Sequence, residues 1–148
     1  MTTFFASAED AENAFYEAIA RADLDALMSV WADDEEIVCI HPTGVSLCGL
    51  TAIRESWRTI FANNPRLTVR ITRRVAWSGM LLTVHNLTET LYLANEPTPH
   101  GPMLATNVFQ RGAKGWRLLS HHSSAAAADA PEAANRDGGA GMAARTLH

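Results

Sequence analysis

Between Trp31 and Gly44 the chain passes from helix-like to strand-like chemistry and sets a histidine at the join, and this passage limits the fold more than any other stretch. It reads Trp31-Ala32-Asp33-Asp34-Glu35-Glu36-Ile37-Val38-Cys39-Ile40-His41-Pro42-Thr43-Gly44. Before it lie two segments of helical period. Ser7 is placed to cap the first, with Asp10 as its capping-box partner. Ala8, Ala11, Phe15, Ala18, Ile19 and Ala22 then recur at helical spacing. Asp23 caps a second, shorter helix with Leu24, Leu27, Met28 and Trp31 as its apolar stripe. The passage itself gives a short strand near Glu36 to His41, a turn at Pro42-Thr43-Gly44 and a return strand near Val45 to Cys48.

One more helix, from about Thr51 to Ala62, places Leu50, Ile53, Trp57, Ile60 and Phe61 on one side, and Asn63-Asn64-Pro65 ends it. Period two then takes over. Leu67, Val69, Ile71, Val75 and Trp77 alternate with polar residues, although Arg73 breaks the apolar phase. Ser78-Gly79 turns the chain into a long strand from Met80 to Leu93. A Pro-rich loop from Glu96 to Pro102 leads to a last hairpin, Met103 to Arg111 and Trp116 to Ser123, across Gly112-Ala113-Lys114-Gly115. Helices first and a meander of long strands afterwards predict an α+β fold. Its N-terminal helices pack in the concave face of a strongly curved, mostly antiparallel sheet. The folded domain spans residues 1–124. Residues 125–148 are Ala- and Gly-rich, and read as a mobile tail.

Composition narrows the function classes. A formal net charge of -4 over 148 residues opposes nucleic-acid binding, which needs a basic face. Arg66, Arg70, Arg73 and Arg74 form the one basic cluster. Three of them (66, 70 and 74) share a strand phase with Thr68 and Thr72, which reads as a solvated strand face. No apolar run approaches the ~20 residues that span a bilayer. The N-terminus has no basic n-region, so it does not read as a secretory signal. The expected compartment is the cytoplasm, with reduced cysteines. If Thr43-Gly44 is the tip of a two-residue hairpin, Cys39 and Cys48 lie opposite each other; a disulfide is then conceivable, and a reduced buried pair is preferred.

Three pieces carry a resemblance: Trp31-Ala32-Asp33-Asp34, the His41-Pro42-Thr43-Gly44 turn, and the closing Gly115-Trp116-Arg117-Leu118-Leu119-Ser120-His121-His122-Ser123-Ser124. Their order and separation, over about Ala8 to Ser124, resemble the nuclear transport factor 2-like superfamily, which includes ketosteroid isomerases, SnoaL-like polyketide cyclases and scytalone dehydratase. The resemblance implies a cystatin-like cone, a deep apolar pocket and a homodimer through the convex sheet face. It does not give a reaction, because this fold hosts many.

Comparison with ketosteroid isomerase, whose base and oxyanion hole are a known pattern, implies three positions. His41, before Pro42, looks like the catalytic aspartate's place. Tyr16 lies where the oxyanion tyrosine would be, and Asn107 where the oxyanion acid would be. Two extra residues between Asp33-Asp34 and His41 depart from that pattern, and histidine replaces a carboxylate base. Histidine still serves as a general base near neutrality, and an Asn amide donates to an oxyanion without a perturbed pKa. The expected catalytic set is His41, Asn107, Tyr16 and His122. Period two through Trp116, Leu118 and Ser120 points His122 inward and His121 outward. The expected pocket lining is Trp31, Trp57, His85, Phe109 and Phe15, with His85 in the phase of Leu81, Leu87 and Leu91.

Each residue also has a plain structural reading. His41 would cap the turn, His122 and Asn107 would satisfy strand hydrogen bonds, Tyr16 would extend its hydroxyl to solvent, and the tryptophans would fill the core. Asp33 and Asp34 organise a turn. His41, His85 and His122 could converge on a metal, yet no short ligand spacing supports one, and neither a metal nor a cofactor is expected. No Gly-rich phosphate loop or local nucleophile motif occurs. Two readings follow. One is a cofactor-independent isomerase, cyclase or dehydratase acting on a small apolar carbonyl compound. The other is a non-catalytic ligand-binding or dimerisation module. An adapter subunit would instead show a broad apolar patch on the convex sheet beyond that needed for a dimer.

Overall fold

The computed structural model describes residues 3–64 and 66–127. The expected mobile tail beyond residue 127 and the helix-ending Pro65 lie outside the described residues. In chain order the elements are α1 (Ala8–Arg21), α2 (Leu24–Val30), β1 (Val38–Ile40), β2 (Ser46–Cys48), α3 (Leu50–Asn63), β3 (Leu67–Ser78), β4 (Leu82–Leu93), β5 (His100–Gly112) and β6 (Gly115–Ala125).

The helix starts follow their capping chemistry. Ser7 Oγ accepts the Asp10 N–H at 3.0 Å, and Asp23 Oδ1 accepts the Ala26 N–H at 3.0 Å. Glu9 and Asp10 in the first turn of α1 and Arg21 in its last complement the helix dipole. The buried face of α1 carries Ala8, Ala11, Phe15, Ala18 and Ile19, together with Glu12 and Tyr16. Phe15 is fully buried and meets Tyr16, Trp31 and Trp57 edge to face, with ring centroids 5.1, 6.3 and 5.9 Å away.

The six strands form one sheet in the order β2-β1-β6-β5-β4-β3. Every pairing is antiparallel except β1 with β6. The register shifts in three of the long pairings: between Ile71 and Arg73, between Glu89 and Leu91, and between Val108 and Phe109. Such bulges bend a strand and exchange which side chains face the core. Two of them correct the sequence reading. Opposite Val108 and Phe109, Leu119 is the extra residue of β6, so the inward phase of Leu118 passes to His121 and Ser123. His121 is therefore buried and His122 exposed, the reverse of the strict alternation expected above. In β3 the extra Thr72 turns Arg74 to the α1 side, where it reaches the buried Glu12 and the exposed Glu9 while the residue stays exposed as expected.

The β1–β2 turn corrects the cysteine expectation. The Gly44 N–H donates to the His41 carbonyl and the His41 N–H to the Val45 carbonyl, which leaves Pro42, Thr43 and Gly44 as a three-residue loop. Gly44 at φ 90 supplies the left-handed residue that this loop needs. The register becomes Cys39 opposite Leu47 and Val38 opposite Cys48. The thiols fall on opposite faces, Cys39 buried and Cys48 exposed, and both are free.

The chain start is bound to the last hairpin. Gly115 has φ 86, and a Cβ there would lie 2.4 Å from the Phe5 carbonyl oxygen. That close approach lets the Trp116 N–H donate to the same oxygen at 2.9 Å. Arg117 stacks over the Phe5 ring and donates to the Ser29 and Thr3 carbonyls. Among the described residues, no helix is long and apolar enough to cross a membrane.

Candidate functional site

A cavity of about 600 Å³ opens between α3, the β1–β2 turn and the ends of the long strands. Its walls are mainly apolar, with Ile60 from α3, Leu67 and Val69 from β3, Leu91 and Leu93 from β4, and Met103 from β5. Nine polar side chains interrupt them, among them His41, Ser56, Glu89, His121 and Ser123. A mostly apolar concavity with a few convergent polar groups is the ordinary form of a small-molecule site.

His41 follows β1 and reaches its place because Pro42 begins the turn. Its Nε2 and the Ser56 Oγ of α3 are hydrogen-bonded at 2.7 Å, and its ring meets Trp57 edge to face at 5.2 Å. Burial, with a smaller contribution from the nearby His121, lowers its pKa from 6.5 to about 4. The imidazole is thus neutral at neutral pH, with a basicity close to that of a carboxylate. Cys39 Sγ lies 3.8 Å from the same nitrogen, and burial pushes its thiol up to about 12, so it is no thiolate nucleophile.

Behind the cavity floor the helix α1 and strands β4 to β6 enclose a buried polar network. Tyr16 donates its hydroxyl to Glu89 Oε2 at 2.6 Å, and Ser123 donates to Glu89 Oε1 at 2.8 Å. Asn107 Nδ2 donates to Glu12 Oε2 at 2.9 Å and to the Tyr16 oxygen at 3.1 Å. Asn107 Oδ1 lies 2.6 Å from His121 Nδ1. Arg74 Nε stands 2.9 Å from Glu12 Oε1 and His85 Nδ1 stands 3.0 Å from Glu12 Oε2. Neither of these two nitrogens is aligned for a hydrogen bond, so both act on Glu12 as charge or dipole contacts. Burial first, then the Glu89 charge, raises the Tyr16 pKa well above its ordinary value. Burial lowers that of His121, against the opposing pull of Glu89 and Glu12. Both groups are neutral at neutral pH.

The sequence-derived residues divide. His41 and Trp57 line the cavity. Tyr16 and Asn107 meet as the resemblance implied, 3.1 Å apart, but inside the network and outside the cavity lining. Their donors are spent on Glu89, on Glu12 and on each other, so neither offers an N–H or O–H to an oxyanion in the cavity. Phe15, Trp31 and Phe109 pack in the core and do not line the cavity. His85 is buried as its phase implied, but against Glu12 and the Phe109 ring. His122 points away from the cavity because of the Leu119 bulge. His41, His85 and His122 therefore do not converge, and among the described residues no three potential ligands are grouped for a metal.

The residues that sequence reasoning passed over are Glu12, Ser56, Glu89, His121 and Ser123. Two carried a signal. Glu12 lies one helical turn before Tyr16 on the buried face of α1, and Glu89 sits between Leu87 and Leu91 in the inward phase of β4. A carboxylate on an otherwise apolar face is the pattern that marks a buried partner network.

A SnoaL-like domain model matches residues 8–128. Among solved structures, one from Thiobacillus denitrificans, provisionally named a calcium/calmodulin-dependent protein kinase type II association domain, is 36% identical with a TM-score of 0.74. The match covers 84% of this chain and 98% of that one. A protein from Streptomyces avermitilis, provisionally named a dehydratase of the nuclear transport factor 2-like family, is 31% identical with a TM-score of 0.72, covering 80% and 92%. The F-box protein SKIP8 of Arabidopsis thaliana is 27% identical over 110 residues, 74% of this chain; the match spans only 46% of that protein's length. An uncharacterised cystatin-like fold from Caulobacter vibrioides, 14% identical with a TM-score of 0.71 over 87% and 92% of the two chains, shares the architecture alone. The domain model matched over residues 8–128 and the 31%-identical relative of the nuclear transport factor 2-like family make this chain a member of the SnoaL-like family within the nuclear transport factor 2-like superfamily.

Proposed function

We propose that the protein binds a small, largely apolar carbonyl compound in the cone and moves a proton on it, with His41 as general base and then acid. The observation that carries this is a neutral imidazole set in an apolar wall, bonded to Ser56 and lowered to about 4 by burial. A base of that strength suits a carbon acid next to a carbonyl, provided that the developing enolate is stabilised. An isomerase, cyclase or dehydratase reaction all begin with such a step. The name of the Streptomyces relative agrees with the last of these.

The test is solvent deuterium exchange at the α-carbon of a panel of apolar ketones, followed by proton NMR. Wild type is expected to accelerate exchange for at least one ketone, and His41→Ala to remove roughly 10²- to 10⁴-fold of that acceleration. Equal exchange by the two proteins would overturn the assignment.

One observation favours a second reading, a non-catalytic ligand-binding module. The donors of Tyr16 and Asn107 are consumed inside the network, so the oxyanion hole of the isomerase pattern is not assembled. Ketone binding without exchange would establish it. In either case the partner on the convex face is proposed to be a second copy. Val75, Trp77, Leu82 and Leu104 are exposed there in the outward phase of three adjacent strands. Sedimentation of Trp77→Lys, expected to be monomeric where wild type is dimeric, tests that.

A further inference from the structure

The inner end of the cavity is built from acceptors. Glu89 presents its carboxylate there, and its two protein donors, Tyr16 and Ser123, are hydroxyls. Among the described residues no cation is paired with it. Glu12, the other buried carboxylate, has Arg74 at 2.9 Å. The floor therefore holds two carboxylates against one guanidinium.

His121 is the second floor group, and its tautomer follows from the network. The Glu12 carboxylate needs a donor, so the amide nitrogen of Asn107 faces it and the amide oxygen faces His121. His121 Nδ1 must then carry the proton. Its Nε2 is left as a lone pair without a protein partner among the described residues, on a ring that lines the cavity. Several of the wall's donors are already engaged, although the Trp57 indole N–H is not. Ser123 donates to Glu89, Ser56 is engaged with His41, and Thr59 and Asn64 each turn a donor back on a carbonyl of α3.

We infer that the ligand's inner end is a hydrogen-bond donor of positive charge, an ammonium group on an apolar body, seated on the Glu89 carboxylate and the Nε2 of His121. It would supply the counter-ion that Glu89 lacks and the donor that His121 lacks, while its hydrocarbon covers the Leu67, Val69 and Leu91 wall. An anionic inner end would meet the like charge of Glu89 and the engaged hydroxyls of Ser56 and Ser123, with the Trp57 indole N–H as an unbonded donor in the wall. This assignment rests on the cavity being the binding site of the preceding reading, and it narrows the carbonyl compound to one that also carries an amine.

Calorimetric titration of the full chain at neutral pH tests it with four probes of one shape: cyclohexylmethylamine, cyclohexylmethanol, cyclohexyl methyl ketone and cyclohexanecarboxylate. The amine is expected to bind roughly tenfold or more tightly than the alcohol or ketone, the effect of one buried charge-assisted hydrogen bond, and the carboxylate not to bind. Glu89→Gln keeps an acceptor for Tyr16 and removes the charge. It should bring the amine within about threefold of the alcohol.

The wild-type series decides even where the variant fails to fold. A ketone or carboxylate that binds as tightly as the amine, or an amine preference that survives in Glu89→Gln, overturns the inference. Ketone binding with His41-dependent exchange and no amine preference would overturn it and leave the proposed function standing. No binding by any probe would overturn both.

Discussion

The two halves of the cone interior treat their polar groups in opposite ways. Against α1, the donors of Tyr16, Asn107 and Ser123 close on the Glu12 and Glu89 carboxylates, although Glu12 Oε1 has charge contacts only. Against α3, His41 has a single hydroxyl partner, and Glu89 and His121 turn unfilled acceptor capacity towards the cavity. A closed set holds geometry and has little left to offer a ligand. An open set has capacity to spare and costs stability to keep. The family resemblance points to the α1 half, through Tyr16 and Asn107. The geometry places the reactive capacity on the other side of them.

The most severe way to break this contrast is Glu12→Ala. Glu12 is fully buried, and its loss strands Arg74, Asn107 and His85 at once. Each buried polar group left unpaired, the Asn107 amide first, costs about 1–3 kcal/mol. Chemical denaturation should therefore show a large loss of stability. A loss under about 1 kcal/mol would show that the network closes without its carboxylate.

His41→Ala should show the opposite profile. It removes one partly engaged ring from the cavity wall, so the midpoint of unfolding should move little. Catalysed exchange should fall by roughly two to four orders of magnitude. Should the two variants share a profile, stability and activity both affected alike, the division between the halves is wrong.

Tyr16→Phe is milder. It deletes the 2.6 Å bond to Glu89 and leaves Asn107 with one partner fewer, worth about 1–3 kcal/mol for a hydrogen bond to a charged group. Because the hydroxyl does not line the cavity, exchange at saturating ketone should stay within about threefold of wild type. A loss of a hundredfold or more would return Tyr16 to the oxyanion role that the resemblance implied.

Lowering the pH sharpens the contrast from the solvent side. An unfolded chain protonates His41 below its ordinary value of 6.5, whereas the folded protein resists until about 4. The folded state thus binds fewer protons in that window, and its stability falls as pH drops from 6.5 towards 4. His121, lowered by burial, adds a change of the same sign. Melting temperatures measured across that range should decline, and His41→Asn should make the decline shallower. A slope unchanged in His41→Asn would mean that His41 titrates normally.

Much of the frame was legible before any coordinates. Ser7 and Asp23 cap where their chemistry says, and Phe15 and Trp57 are buried on the faces that their spacing sets. His85 and Asn107 face inward as their strand phases and the resemblance require. The failures share one physical origin. A bulge inserts a single residue, leaves composition unchanged and reverses every side chain beyond it until the next irregularity. Leu119 and Thr72 gave no local sign of being the extra residues, so His121 was exchanged with His122 and the contact of Arg74 with Glu12 was missed. The three-residue β1–β2 loop moved the cysteine register by one for a similar reason. Glu12 and Glu89 are a different kind of omission. Their phases were readable, and only the habit of assigning carboxylates to the surface hid them.

The smallest expected effect tests that origin directly. His122 and His121 are neighbours with the same chemistry, and only the Leu119 bulge decides which one faces the floor. His122→Ala removes an exposed ring, so stability should change by no more than about 0.5 kcal/mol, with exchange and amine affinity unchanged. His121→Ala removes a buried ring bonded to Asn107 and packed 5.1 Å from Phe15, and should lower both stability and ligand affinity. A strand in strict alternation would interchange the two results. The pair of substitutions thus reads the bulge itself, because nothing else in β6 distinguishes the two positions.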